Sequence, residues 1–354
     1  MYSFKNDYSE GAHPSILKSL MKNNLDQQNG YGDDDYSLKA KECLKEKMGN
    51  PDAAVYFVSG GTQANLLVIS ALLRTHEAVI SAATGHIFAN ETGAVELTGH
   101  KVIAVEGQNG KITASDIQNA VDSHQLRPHA VKPKMVYISN STEIGTVYNK
   151  TELWEIAAAC RALDLILFMD GARLGHALTA ESNDLTLADI SHLTDVFYIG
   201  GTKNGALFGE AIVFKNSSLC SEFDYVLKQR GALLAKGRVL GIQFYELFRE
   251  DLYFTLAAKA NGYAQQIAEA ISKAGYEFLT QPATNQLFPI LPKKVIARLH
   301  EKFAFYVWKE IDKRSAAVRI ITSWATDQKW VDEFAEDIKN STNPKLDGIS
   351  GKGK

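Results

Sequence analysis

Residues 195–211 read DVFYIGGTKNGALFGEA. Val196 to Ile199 form an apolar, β-prone run that passes directly into Gly200, Gly201, Thr202, Lys203, Asn204 and Gly205. A strand of this kind, apolar on both faces, belongs inside a sheet covered by helices on each side. A single cation at its end, flanked by glycines that let backbone pack closely, is out of place on a solvated surface. Sheltered from water, a lysine amine loses basicity and becomes a nucleophile able to form a Schiff base.

Six more runs of the same character lie between Ala53 and about Phe214: AVYFV, AVIS, VIAV, MVYIS, LILFMD and AIVF. Between several of them fall amphipathic stretches, Gln63 to Leu73, Ser115 to Val121 and Thr151 to Ala162. Asn149 followed by Glu152 marks the start of the last of these as a helix N-terminus. The alternation predicts an α/β fold with a mostly parallel sheet. After Ser217 the pattern changes to helices through Phe248 and from Asp251 to Ala274. Shorter strands follow at Tyr276–Leu279, Gln286–Ile290, Phe303–Val307 and Val318–Thr322, and a last helix begins at Asp327. We expect a large domain over 1–247, including the N-terminal segment, a smaller α+β domain over 248–344, and a flexible tail over 345–354.

The composition narrows the chemistry. The 354 residues are 45% hydrophobic and 22% charged, with a formal net charge of −3. That balance offers no electrostatic footprint for nucleic acid or an anionic membrane, which favours a small-molecule partner. Cys43, Cys160 and Cys220 are far apart and form no C-x-x-C pair, so neither a disulfide framework nor a metal site is expected, and a reducing, cytoplasmic setting fits. The N-terminus shows no secretory pattern. The most apolar long stretch, Leu153 to Met169, is interrupted by Glu155, Arg161 and Asp164, so no membrane span is expected.

In an open α/β sheet, ligands gather at the carboxyl ends of the strands. Five groups fall at or near such positions. In VSGGTQANL, the turn around Gly61 and Thr62 suits either a phosphate or an ordinary helix cap. His86, after the AVIS strand, is either structural or able to stack on a ring and move protons. Asp170, closing LILFMD, is a poorly solvated carboxylate that needs a partner, either Arg173 or a protonated ring nitrogen. Lys203 is the fourth. Arg319, inside AVRIITSW, needs an anion, whether a structural carboxylate or that of a substrate. In this order they match the phosphate, flat ring, ring nitrogen and aldehyde of pyridoxal 5'-phosphate.

Taken together, YGDDDYS, SGGTQANL, GHIFANETGA, STEIGTVYN, FMDGARLGHAL, GGTKNGALFG and QRGALLAKGR resemble the threonine aldolase family, within the aspartate-aminotransferase-like fold of pyridoxal-phosphate enzymes. The resemblance covers nearly the whole chain. It implies that Lys203 bonds the cofactor covalently, Asp170 pairs with the pyridinium nitrogen, and His86 stacks on the ring. It further implies that Gly61 and Thr62, with Thr202, bind the phosphate. Arg173 would lie near the cofactor oxygen or the substrate carboxylate, and Arg319 would hold that carboxylate. Lys228 would reach the phosphate of a neighbouring subunit and Tyr31 would sit at the subunit boundary, which implies a homo-oligomer, a dimer of dimers. The implied reaction cleaves L-threonine or L-allo-threonine to glycine and an aldehyde, with His86 as the leading base for the β-hydroxyl. The rival is another enzyme of the same fold, a β-eliminating lyase or an aminotransferase. Two departures stand out. Asn6 occupies the place of a serine common in the family, and the segment Asn140-Ser141-Thr142-Glu143 lacks the histidine that many members carry there.

Overall fold

A computed structural model describes residues 1–341; the tail expected at 345–354, and the final residues of the expected 248–344 region, lie outside the described residues. The seven expected strands build one seven-stranded sheet in the spatial order Ala54–Val58, Glu210–Phe214, Val196–Gly200, Ile166–Asp170, Lys132–Ser139, Glu77–Ala82, Lys101–Val105. Every pairing from Val196–Gly200 to Lys101–Val105 is parallel. Glu210–Phe214 runs antiparallel to both of its neighbours.

The two-sided burial inferred from the apolar runs is visible residue by residue. Along Val196–Gly200, Phe197 and Ile199 join one core while Val196 and Tyr198 join the other. Successive strand side chains point to opposite faces, so a strand apolar at every position requires a cover on each. Burying side chains of this size contributes roughly 1.5–3 kcal/mol apiece. Part of that cover is local in origin. The helices Ala114–Asp122 and Lys150–Ala162 both start with reciprocal caps, Thr113 with Asp116 and Asn149 with Glu152. Because the crossovers return each strand in the same direction, Val58, Ala82, Ser139, Asp170 and Gly200 all end on one edge of the sheet.

The second half departs from expectation in detail. The helices expected between Ser217 and Phe248 are Phe223–Gln229 and Arg238–Phe248, with Gly231 at φ +68 between them. Left-handed glycine is a common way to end a helix. Leu252–Lys273 then forms one long helix. It packs on an antiparallel sheet ordered Ile290–Pro292, Ser315–Ile321, Tyr306–Glu310, with Gln286–Leu287 also paired to Ser315–Ile321. Residues 276–279 form no strand; Phe278 meets Pro289 in an isolated antiparallel bridge, with the Leu279 amide donating to the Phe288 carbonyl and the Ile290 amide to the Glu277 carbonyl, both at 2.8 Å. Helices at Pro14–Lys22, Asp35–Met48 and Lys293–Leu299 were not expected. The N-terminal segment packs with this second half: Tyr2–Ser3 pairs with Phe303–Ala304, and Phe4 enters the core beneath that sheet.

Candidate active site

At the common edge of the large sheet lies a cavity of about 280 Å³. Its lining brings together Lys203, Asp170, His86, Arg173, Gly61, Thr62 and Thr202, residues spread along the sequence from Gly61 to Lys203.

The lysine loop is built by close backbone approach. The Gly200 amide donates to the Gly171 carbonyl at 2.9 Å, tying the Lys203 loop to the Asp170 turn. A Cβ on Gly200 would fall 2.3 Å from the Ala172 carbonyl, and one on Gly171 would fall 1.8 Å from the Tyr198 carbonyl. Only glycine fits at either place. Behind the loop stands Glu210, which sequence reasoning missed. Its carboxylate accepts from the Gly201 amide at 3.0 Å and from the Thr202 hydroxyl at 2.9 Å. Burial pushes the Glu210 carboxyl up to about 8, against the opposing pull of Lys203. Burial also lowers the Lys203 amine, and the positive charge of Arg173 lowers it further. A sheltered amine of reduced basicity is the nucleophile anticipated from the sequence.

Asp170 is held at three points. One oxygen accepts from the Ala172 amide at 2.9 Å; the other accepts from the Tyr137 hydroxyl at 2.5 Å and from Asn65 Nδ2 at 3.4 Å. These neutral donors fix the carboxylate without neutralising it. Arg173, the alternative partner raised by the sequence, is committed elsewhere. It makes a two-point ion pair with Asp7, Nε to Oδ2 at 2.7 Å and Nη2 to Oδ1 at 3.0 Å. Burial alone would raise the Asp7 carboxyl, but Arg173 and Lys203 outweigh it and hold Asp7 well below the usual carboxylate range.

His86 is oriented by a second missed acid. Its Nδ1 lies 2.8 Å from Glu91 Oε1, which also accepts from Asn65 Nδ2 at 2.7 Å. Asn65 therefore links the His86–Glu91 pair to Asp170. Glu143 also lines the cavity, accepting from Ser139 Oγ at 2.7 Å and the His86 amide at 2.9 Å.

At the far side, Ser59, Gly60, Gly61 and Thr62 form the start of the helix Gly61–Leu72, which has no side-chain cap. Its first amides face the cavity unsatisfied by side chains and carry partial positive charge. Thr202, expected to share in phosphate binding, is engaged in this structure by Glu210 and by the Gly209 amide at 3.0 Å.

Four expected residues do not line the cavity. Arg319 is half-buried, donating from Nη2 to Gln286 Oε1 at 2.7 Å while its Nε has no partner among the described residues. Burial lowers its pKa to about 10, and Arg173 adds to the effect. Asn6 turns inward on its own loop, accepting from the Tyr8 amide and Ser9 Oγ, while Tyr8 reaches the cavity in its place. Lys228 lies over the ring of the exposed Tyr31 at 4.9 Å, a cation–π pair outside the cavity. The signals for the missed acids were present: Asp7 follows Phe4, Glu91 lies five residues after His86, and Glu210 opens an apolar strand. None had a partner in sequence to interpret it.

An α/β sheet whose strand-end edge gathers a low-basicity lysine, a fixed strand-end carboxylate and an uncapped helix start defines the class of enzymes built to hold a phosphorylated aldehyde. Comparison with known proteins narrows the class. Beta-eliminating lyases match residues 8–293. The low specificity L-threonine aldolases of Pseudomonas sp. (strain NCIMB 10558) and Pseudomonas aeruginosa are each 33% identical, over 95% of this chain and 96% of theirs. A threonine aldolase structure from Leishmania major is 46% identical with a TM-score of 0.95, covering 97% of this chain and 100% of that one. Aspartate aminotransferase from Thermus thermophilus shares the fold, with a TM-score of 0.70 at 14% identity over 96% of this chain and 91% of its own. The chain belongs to the beta-eliminating lyase family, among its threonine aldolases. Among the described residues no helix is long and apolar enough to cross a membrane, and no cluster of potential ligands could hold a metal.

Proposed function

We propose that the protein cleaves L-threonine, L-allo-threonine and related β-hydroxy-α-amino acids to glycine and an aldehyde, using pyridoxal 5'-phosphate. The observation that carries this reading is the pairing, in one cavity, of the low-basicity Lys203 amine with the three-point-fixed Asp170 carboxylate. The residues present suit the cofactor. Lys203 suits its aldehyde, and Asp170 a protonated ring nitrogen. His86 suits the ring face, and the uncapped amides at Gly61 and Thr62 suit its phosphate. When bound, the cofactor supplies a sink for the electron pair released at Cα.

The chain's own groups do the rest. Arg319 has a free Nε and no carboxylate partner, which suits it to the substrate carboxylate. Gln286 orients it, donating in turn to the Thr142 carbonyl at 3.1 Å. Arg173, its charge balanced by Asp7, lines the same cavity and would serve the cofactor oxygen or the substrate carboxylate. Thr202 serves the phosphate chiefly by holding the loop through Glu210. Asn6 supports the substrate side through the turn that presents Tyr8. Glu91 holds His86 Nδ1, which directs the other ring nitrogen toward the cavity.

The domains proposed are 1–247 for the cofactor, apart from the Tyr2–Phe4 segment that packs with the second half, and 248–341 for the described part of the smaller unit. The Lys228–Tyr31 pair, lying on the surface outside its own chain's cavity, supports a homo-oligomer, a dimer of dimers in which both complete a neighbour's site. Three free thiols support a cytoplasmic setting. The test is to mix purified, cofactor-loaded protein with L-threonine. Glycine and acetaldehyde in equal amounts, absent with Lys203→Ala, are expected. Ammonia with a keto acid would instead assign the chain to the eliminating or transaminating members of the fold.

A further inference from the structure

Retro-aldol cleavage needs a group that accepts the proton of the β-hydroxyl, and the cavity wall offers two, His86 and Glu143. The carboxylates deeper in the site are each spoken for. Asp170 is fixed by Tyr137, Ala172 and Asn65, Asp7 by Arg173, and Glu210 by Gly201 and Thr202. Glu143 differs from all of these in that both of its hydrogen bonds fall on one oxygen, Oε1, whereas each of the others is held through both oxygens. It lies in the loop after the strand Lys132–Ser139, half-buried on the cavity lining, and no cation pairs with it among the described residues. Two neutral donors, Ser139 Oγ and the His86 amide, both grip Oε1 and fix the carboxyl in place. Burial raises its pKa, the Ser139 bond opposes this, and the nearby charge of Asp170 raises it again. A carboxylate made more basic by its surroundings is a better proton acceptor at neutral pH. His86, by contrast, is the group suited to the ring face, and its Nδ1 is already engaged by Glu91.

Resting on the aldolase reading above, we propose that Glu143 is the catalytic base for the substrate β-hydroxyl. The O–H bond breaks and its proton passes to the Glu143 carboxylate. The oxygen's electron pair becomes the second bond of the aldehyde C=O, and the Cα–Cβ bond breaks with its pair left on Cα. Cα then takes up one proton and Glu143 releases the one it accepted. All atoms of threonine are thereby divided between glycine and acetaldehyde, with no oxidant or reductant.

Glu143→Gln tests this cleanly, because the amide oxygen can accept both existing hydrogen bonds but cannot take a proton. With the cofactor-loaded enzyme, kcat for L-threonine cleavage should fall about 10²–10⁴-fold. Exchange of the glycine α-hydrogen with deuterium oxide, read by NMR, involves no β-oxygen and should continue at the wild-type rate. The cofactor's visible absorbance should also be unchanged. Glu143→Asp, which keeps an acid–base group, should recover part of the lost kcat. Cleavage at the wild-type rate in Glu143→Gln would overturn the assignment, as would parallel loss of cleavage and glycine exchange. Equal loss in Glu143→Asp and Glu143→Gln would also overturn it. So would His86→Asn abolishing cleavage alone while Glu143→Gln retains it. If wild-type enzyme releases no acetaldehyde, the functional reading itself fails and this assignment falls with it; if wild type cleaves and Glu143→Gln cleaves equally, only the assignment fails.

Discussion

Asp170 receives hydrogen bonds from a tyrosine, a backbone amide and an asparagine, whereas Arg319, proposed to meet the substrate, has a buried Nε with no partner among the described residues. At the lysine end the functional side chains are already held in place by neighbouring groups: Glu210 anchors the loop, Glu91 orients His86, and Asn65 links that pair to Asp170. At the arginine end the cation has no ion pair among the described residues and is held by Gln286, with the Trp308 ring 5.4 Å away. Under the proposed function, the contrast separates a site prepared for a resident group from one that awaits an anion in each cycle. A preorganised constellation needs no rearrangement to act, while an unpaired buried donor gains most when its anion binds.

The largest effect should come from breaking the lysine end. Lys203→Ala should lower turnover by at least about 10³-fold, because the reactive amine itself is removed. Loss of the borohydride-reducible linkage, read by mass spectrometry, checks it. At the other end, Arg319→Leu should raise KM for L-threonine by about 10²–10³-fold, the usual consequence of truncating a buried charge partner. Its kcat should change much less, and Arg319→Lys should recover only part of the loss because it cannot bind in two-point fashion.

Between the two ends, Asp7→Asn should destabilise the fold by about 3–5 kcal/mol in denaturant unfolding, since it strands the buried Arg173 guanidinium. Because the folded Asp7 carboxyl is depressed, its stabilisation is fully present above the ordinary carboxylate range and is lost as pH falls through the depressed value. The gap between variant and wild type should therefore close in strong acid. Glu210 works in the opposite sense. Its carboxyl is raised from 4.5 to about 8, so the folded state holds the proton more tightly than the unfolded chain across that window. Stability from this group falls as pH rises from 5 to 8, and Glu210→Gln should gain in Tm relative to wild type over the same range. The smallest effect is expected for Gln286→Ala. Losing one orienting hydrogen bond to Arg319 should raise KM by roughly tenfold with the cofactor still bound.

The large sheet was legible because its information is local. A strand buried on both faces must be apolar at each position, and AVYFV, MVYIS, LILFMD and DVFYIG all declare this without reference to partners. The C-terminal sheet was less so. Phe278 and Pro289 meet only at a bridge, and Tyr2 pairs with Phe303 across 300 residues, a contact that no window of sequence contains. The site divides similarly. Lys203, Asp170 and His86 are conspicuous by type and position, whereas Asp7, Glu91, Glu143 and Glu210 are ordinary acids until folding gives each a neighbour.

By itself, then, the sequence determined the sheet, the strand-end lysine and aspartate, and the resemblance of GGTKNGALFG and its companion motifs to an aldolase, because apolar patterning and residue chemistry are properties of short segments. Only the tertiary structure decided that Arg173 belongs to Asp7, that Thr202 belongs to Glu210, and that Arg319 is left without a carboxylate. Those outcomes depend on which charges meet in a poorly solvated interior, where one pairing excludes another. The odd lysine at the end of DVFYIGG is explained by both: its position by the strand that leads to it, its reactivity by the buried charges around it.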